Sequence, residues 1–549
     1  MKKIFKTMLL LAAITTGTGT IVSCSSDDDL AKADALFRPI INEDDNLELG
    51  LDANNVPYMI VKWDNYTDAD QYTVKVEPAD ASASAKEITT SDLTCRFDGL
   101  EYDKEYFVYI SSANTKNGLS SKPYSLTTTT PDYPTKMQSP AATDIIDIAA
   151  RIKWSGASFT KLVVIKDSDL EQVGEFEVSD ADNAAGEKIV NGLQPKTTYR
   201  VEAYNGTTYL GKKRITTGAA DVFEGNIVDL RGWNENDSYK FIENCLDSLM
   251  TQAYPDKNIT IVLEGGMKYR LKATKLHSTA GVITFVTGQT LAGYAEFEVN
   301  SNFDLDTEAQ VGGLIFEKIN IWGAQPDASD GNFGGQYVFN IAGKGSKIDL
   351  IRFVGCDIKW KRGVLRQKDN ASTVVKFEID NCTLDSIAGY GIANSDKEGC
   401  VVQNIKVTNS TFSTCKVLFT NTKGKTAPNS IIIENCTFVN CPQGGKFITD
   451  FKDNAPTGDF KFKNCLFGPG QGELAIWSGD AKPDGSDIFY TSDIVWKPVN
   501  AETDPSPVAQ LEGTTISTNL SGTFKDWANG DFTILNTKEL KKVGDPRWY

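Results

Sequence analysis

The densest run of ionisable and aromatic side chains in this 549-residue chain is Asp357-Ile358-Lys359-Trp360-Lys361-Arg362-Gly363-Val364-Leu365-Arg366-Gln367-Lys368-Asp369. It sets five bases, two acids and a tryptophan side by side in a protein whose 56 Lys+Arg against 73 Asp+Glu leave a formal charge of −17. A guanidinium suits bidentate carboxylate binding, so Arg362 and Arg366 are candidates for a carboxylate clamp or for a base. Trp360 offers a face on which a sugar ring stacks, with Lys361 and Lys368 beside it. Trp322 and Tyr390 are further candidate platforms. Asp380, Asp385 and Asp396 follow downstream, but no compact Asp-x-x-x-Asp set stands among them. The same run also fits a solvated outer face, the ordinary state of charged side chains.

Other chemistries are excluded by what the chain lacks. It has one histidine, His277, so no mechanism needing two is open to it. It contains no G-x-S-x-G, no H-E-x-x-H and no phosphate-cradling G-x-x-x-x-G-K. No Lys/Arg-rich stripe marks a nucleic-acid surface, and a polyanionic partner would have to be held locally or through bound cations.

The elements that position the basic run come from a repeat. Phe377-x-Ile379-x-Asn381-Cys382-x-Leu384 recurs as Ile405-x-Val407-x-Asn409-Ser410-x-Phe412, Ile431-x-Ile433-x-Asn435-Cys436-x-Phe438 and Phe460-x-Phe462-x-Asn464-Cys465-x-Phe467, after an earlier copy around Gly355-Cys356. The Asn/Gly positions are spaced by 26, 28, 26 and 29 residues. Apolar residues alternate within each copy, as a strand with one buried face requires. The alternation breaks at Asn, which tolerates the left-handed conformation and can bend the chain between two strands. A period in the high twenties with no helix fits a β-solenoid of large coils, in which like residues stack into ladders. Cys356, Cys382, Cys436 and Cys465 then share one inward rung with Ser410, and Cys415 and Cys441 lie five residues beyond it in two coils. This placement reads as buried free thiols, with a disulfide between neighbouring rungs as the alternative.

Residues of about 220 to 480 thereby resemble the pectin-lyase-like right-handed parallel β-helix superfamily. That resemblance implies either β-elimination of uronate polysaccharides, with aspartates holding Ca²⁺ and Arg or Lys as base, or hydrolysis by paired aspartates. Gly530-Asp531-Phe532-Thr533-Ile534 and Gly544-Asp545-Pro546-Arg547-Trp548 resemble the end of β-helix lipoproteins found in polysaccharide-utilisation systems, which implies a carbohydrate-linked role.

Two similar units precede the solenoid. Trp63 and Trp154 each sit in an alternating strand, and Leu193-x-Pro195-x-x-x-Tyr199 matches the corner of fibronectin type III modules, with Tyr102 in place of the proline in the first unit. Period-2 strands separated by turn residues indicate β-sandwiches. Between the second sandwich and the solenoid, Asn236-Asp237-Ser238 followed by Phe241, Ile242, Cys245, Leu246, Leu249 and Met250 predicts a short helix that covers the open end of the coil stack.

The N-terminus is a targeting segment: basic Lys2, Lys3 and Lys6, a short apolar stretch from Met8 to Ile14, then Ile21-Val22-Ser23-Cys24, which resembles the lipobox of bacterial lipoproteins. The resemblance implies cleavage before Cys24 and lipidation of that residue. Ser25-Ser26-Asp27-Asp28-Asp29 resembles a surface-export signal. The expected organisation is all-β, with a signal peptide at 1–23, a lipidated Cys and tether at 24–36, and fibronectin type III-like sandwiches at 37–130 and 131–218. A parallel β-helix at 219–480 with a short N-terminal capping helix and a C-terminal end region at 481–549 complete it.

The expected function is a cell-surface, outer-membrane lipoprotein that binds a pectin-like or other glycan without cleaving it. Its expected partners are the polysaccharide, the membrane through its lipid and components of an outer-membrane glycan importer, but not nucleic acid. A Ca²⁺-assisted uronate lyase and a structural or adhesive surface protein are the alternatives. The metal ligands and the β-helix face that carries the site are open at this point.

Overall fold

The structure, a computed structural model, describes residues 35–231, 246, 248–271, 274–299, 301–326, 331–369, 371–498, 502 and 507–549. The signal segment, Cys24 and residues 236–245 of the expected capping helix lie outside the described residues. The chain divides into two compact units, Met1–Lys136 with Ala203–Lys212, and Met137–Glu202 with Lys213–Tyr549.

The first unit holds a β-sandwich. One sheet pairs Leu47–Leu51, Pro57–Lys62 and Thr94–Phe97; the other is built on Gln71–Pro78 and Glu105–Asn114. Alternation decides which side chains meet inside: Met59, Val61 and Trp63 on one strand face Tyr72, Val74 and Val76 on another. Trp63 packs against Tyr72 with ring centroids 5.4 Å apart. The Tyr106 hydroxyl accepts from the backbone N–H of Glu101, 3.1 Å away, and so ties down the corner.

The second unit begins with another sandwich. Ala149–Lys153 pairs antiparallel with Glu187–Asn191, and Lys161–Lys166 with Gln172–Glu177. Trp154 is buried against Phe159. The same corner recurs, with Gln194 N–H donating to the Tyr199 hydroxyl at 2.7 Å. Both sandwiches are fibronectin type III-like.

Beyond them one 24-stranded sheet winds into a parallel β-helix with three faces. The first face runs through Gln310–Glu317, Lys347–Val354, Thr373–Asp380, Val401–Thr408, Ser430–Glu434 and Phe460–Phe467, with Asp484–Tyr490 continuing it. The second face includes Ile319–Trp322, the start of Asp357–Gln367, the start of Thr383–Ser395, Thr411–Ser413 and Thr437–Val439. The third takes Tyr337–Ile341, the ends of the two long strands, Phe419–Thr420 and Phe447–Asp450.

The turn from first to second face repeats in every coil around the basic run. Gly355, Asn381, Asn409, Asn435 and Asn464 all have positive φ, between 50° and 63°. The asparagine side chains also bond up the stack. Asn409 Nδ2 donates to Asp380 Oδ1 (2.9 Å), Asn435 to Asn409 (3.0 Å) and Asn464 to Asn435 (2.9 Å). Asp380 is thereby an end of this ladder.

Inside, like residues stack as the repeat requires. Phe412, Phe438 and Phe467 lie nearly parallel at 5.2 and 4.8 Å, and Phe285, Phe316 and Phe353 at 5.5 and 5.1 Å. The rung cysteines are buried free thiols, and burial pushes the Cys465 thiol up to about 12. At the N-terminal end Leu246, Leu249 and Met250 join the same core as Ile259 and Ile261, so the described part of the expected helix does cover the first coil.

Asn435→Ala removes two ladder bonds and replaces a residue that tolerates the left-handed backbone with one that does not. Each hydrogen bond is worth about 1 kcal/mol and the left-handed backbone costs about 1–2 kcal/mol more. The solenoid is expected to lose about 2–4 kcal/mol in urea unfolding, and Asn435→Gly, which avoids the backbone strain, should lose distinctly less.

Candidate functional site

Outward positions on the second face form rows across coils. Asp357 lies beside Thr383 and then Thr411; Lys359 lies beside Asp385, Ser413 and then Val439. The second row changes from polar to apolar where the C-terminal segment settles on it. Val439 and Leu466 are buried under Ile516, Leu520, Phe524, Phe532, Ile534, Leu540 and Val543. At the edge of this covered zone opens a groove of about 390 Å³. Asp357, Lys359, Trp360, Thr383, Asp385 and Ser413 line its solenoid side, and Trp527 to Gly530, Phe532 and Trp548 its other side.

The polar side is wired but not closed. Lys359 Nζ lies 2.9 Å from Asp357 Oδ2, which also accepts from the Trp322 indole N–H at 3.2 Å. Asp357 Oδ1 is buried with no hydrogen-bond partner among the described residues. Burial pushes the Asp385 carboxyl above the usual carboxylate range, against a hydrogen bond from Ser386. A carboxylate there accepts hydrogen bonds from sugar hydroxyls. Trp360 stands edge-on to Trp322 with centroids 5.9 Å apart.

The wall opposite depends on a tail that doubles back along the asparagine turns. Asn464 donates to the Lys542 carbonyl and accepts at its own carbonyl from Gly544 N–H. Asp545, 1 % exposed, receives Thr411 Oγ1 at 2.8 Å, while its own N–H reaches Thr437 Oγ1 at 2.9 Å. Arg547 pairs with Asp545 and caps the carbonyls of Asn381 and Cys382. Trp548 then donates to Thr411 Oγ1 and packs 5.3 Å from Phe532. Gly544 is obligatory here, since its φ is 80° and a Cβ would come within 2.4 Å of Thr437 Oγ1. Asp545→Ala strands both Thr411 and Arg547. The expected outcome is faster protease cleavage within 516–549 with the solenoid strands still protected, read by limited proteolysis.

The basic run is split three ways. Trp360 has a φ of 56°, so the chain turns there and the in–out alternation shifts by one. Lys361 therefore corrects the sequence expectation. It is fully buried beside Ile387 of the next coil, its Nζ donates to the Val299 carbonyl at 3.2 Å, and it cannot contact a glycan on the outer surface. Arg362 and Arg366 reach the third face, stacked on Tyr390 at 4.7 and 4.1 Å. Lys368 is exposed at the end of the strand. Trp322 is half-buried and holds Asp357 instead of standing open as a platform.

Arg366 is not placed to act as a base. Burial opposes its charge, but two hydrogen bonds to Asp396 outweigh that, and its pKa moves up, so it holds its proton more tightly. Asp396 is shared with Lys423. Among the described residues no three His, Cys, Asp or Glu side chains converge to hold a metal ion, so they do not supply the carboxylate cage that the calcium expectation needs. Trp527, Asn529, Phe532 and Trp548 were not expected at the site. The Gly-Asp-Phe and Gly-Asp-Pro-Arg-Trp signatures contain Phe532 and Trp548 but not Trp527 or Asn529, and only the fold brings all four to the second face.

Burial drives the Lys361 ammonium from 10.5 down to about 7. The unfolded chain then binds this proton more tightly than the folded one between those values, so stability rises with pH across that window and the full cost is felt below it. Lys361→Met is expected to be more stable than the parent at pH 6. The gap should narrow by up to about 1.4 kcal/mol per pH unit from pH 7 to 10, measured by denaturation at several pH values.

The second unit is thus a parallel β-helix protein whose C-terminal segment builds one wall of an outer groove. Residues 277–415 match the family model DUF4957, a domain of unknown function, and residues 431–548 match another, DUF5123. No curated protein matches the chain. Among solved structures, a two fibronectin type-III domain segment from chicken tenascin is 15% identical over 32% of this chain and 100% of its own, with a TM-score of 0.16. The FN1-FN3 domains of chicken CNTN1 are 14% identical over 32% of this chain and 65% of theirs, with a TM-score of 0.14.

Proposed function

We propose that this chain is a surface lipoprotein that binds polysaccharide in the groove between the second face of the β-helix and its C-terminal segment. The observation that carries the reading is the groove lining. Trp360, Trp527 and Trp548 surround a floor of Asp357, Lys359, Asp385 and Ser413. Apolar ring faces with a few convergent polar groups are the make-up of a small-ligand site, and sugars need both. A lipid on Cys24 would hold the protein at the outer membrane, and the two sandwiches would serve as spacers. Bound glycan would then be retained for an importer rather than cleaved.

The test uses lipid-free chain, residues 25 to 549, on affinity gels containing pectins, other uronates or neutral glycans. Retardation on at least one polysaccharide without new ultraviolet-absorbing ends is expected, and Trp527→Ala should weaken it by roughly tenfold, the loss of about 1.4 kcal/mol. Chain-end products that persist without retardation would replace binding with lyase activity. Silence on every glycan would remove the proposal.

A further inference from the structure

We propose that the third face of the β-helix is a docking surface for a second copy of this chain, which presents to it the acidic surface of its first sandwich. This contact is independent of whether the groove on the second face binds glycan.

The chain as a whole is acidic, at −17, but its third face is not. Residues 362–369, 396–398, 416–425 and 446–453 belong to that face and its bordering turns, and among them nine Lys and Arg stand against five Asp and Glu. One of those acids, Asp396, is buried and already shared by Arg366 and Lys423. Lys416, Lys446 and Lys452 are exposed. Residues 37–130, the first sandwich, have the opposite balance, with eight bases against sixteen acids. Asp44, Asp64 and Asp92 stand exposed there. One chain thus carries a cationic and an anionic surface on different modules. Complementary potentials of this kind steer proteins together and fix their register.

Charge alone gives a diffuse attraction, and the third face adds an anchor. The Arg362 guanidinium lies 4.7 Å from the Tyr390 ring centre and 5.9 Å from that of Tyr337. The two rings meet edge to face at 5.5 Å. Tyr337 is buried beneath and Tyr390 is half-buried, so the aromatic base of the arginine is already in place before any partner arrives. The buried Nε of Arg362 finds no hydrogen-bond partner among the described residues. Arginine and tyrosine held by their neighbours are the side chains that dominate protein–protein contacts, because they offer large contact areas and lose little freedom on binding. A carboxylate from an acidic surface then meets Arg362 in charge-assisted hydrogen bonds. Arg366 contributes positive potential more than donors, since Asp396 already accepts from it twice.

A third face set against another third face would bring like charges together. The contact is therefore heterologous, from the solenoid of one copy to the sandwich of the next.

The test is sedimentation of the lipid-free chain, residues 25 to 549, over a range of concentrations. Reversible, concentration-dependent association is expected at low salt. It should vanish in about 1 M salt, where charges are screened within about 3 Å. Arg362→Glu should weaken it by roughly tenfold or more, and so should the joint reversal Asp44→Lys, Asp64→Lys and Asp92→Lys. Mixing these two variants should restore association, because each keeps the surface that the other has lost. A chain that stays monomeric at low salt would overturn the proposal. If that monomer still holds added poly-glutamate through Arg362, the face belongs to an acidic protein of another kind and the second copy is overturned as its occupant. Association that survives Arg362→Glu would remove the third face from the contact, and a mixture that stays monomeric would remove the first sandwich. Unchanged thermal melting separates a lost contact from lost folding, with Lys416→Glu and Lys446→Glu together as the second variant on the same face.

Discussion

The rest of the solenoid hangs on the left-handed turn between its first and second faces. One residue per coil must adopt a positive φ, and an asparagine there also bonds to its neighbour in the next coil. Asn464, Asn435 and Asn409 form such a chain and end it on Asp380. Because the turn is fixed, the residues that follow it fall at equal heights in each coil. The cysteine rung, the stacked phenylalanines and the outward row of Lys359, Asp385 and Ser413 are all consequences of that alignment. A slip by one residue would send the apolar set outward and the polar set inward. The turn therefore sets core and groove together.

What could be read in advance follows from locality. The spacing of Asn381, Asn409, Asn435 and Asn464 and the alternation around each announced strand, turn and strand, because all three depend on residues close in sequence. Lys361 shows where that logic ends. Straight alternation from Ile358 would point Lys361 outward, but the left-handed backbone at Trp360 shifts the register and turns it into the core. The groove was less legible still. The Thr411–Asp545 bond joins residues 134 positions apart, and nothing in the spacing of either announces the other. The tail signature was visible as a pattern but its destination was not.

The solenoid also accepts polarity inside where geometry satisfies it. Lys361 is held by one backbone carbonyl rather than a carboxylate, and its charge is the part that the core resists. Arg362 and Arg366 point outward on the third face and stack against tyrosine rings. Bases close in sequence thus meet different surroundings, set by the direction in which the backbone points them.

The returning tail has one more effect. Its contacts step through four successive coils, from Asn464 to Thr437, Thr411 and Asn381. Neighbouring strands are about 4.8 Å apart, so the tail works as a ruler of fixed length laid along the stack. Coil duplication elsewhere would lengthen the solenoid at little cost, as in any linear repeat. Between Asn381 and Asn464 a gained or lost coil would carry Trp548 about 4.8 Å out of register with the acids it faces. The stretch of solenoid under the tail is thereby locked in number, while the coils before it are free to vary.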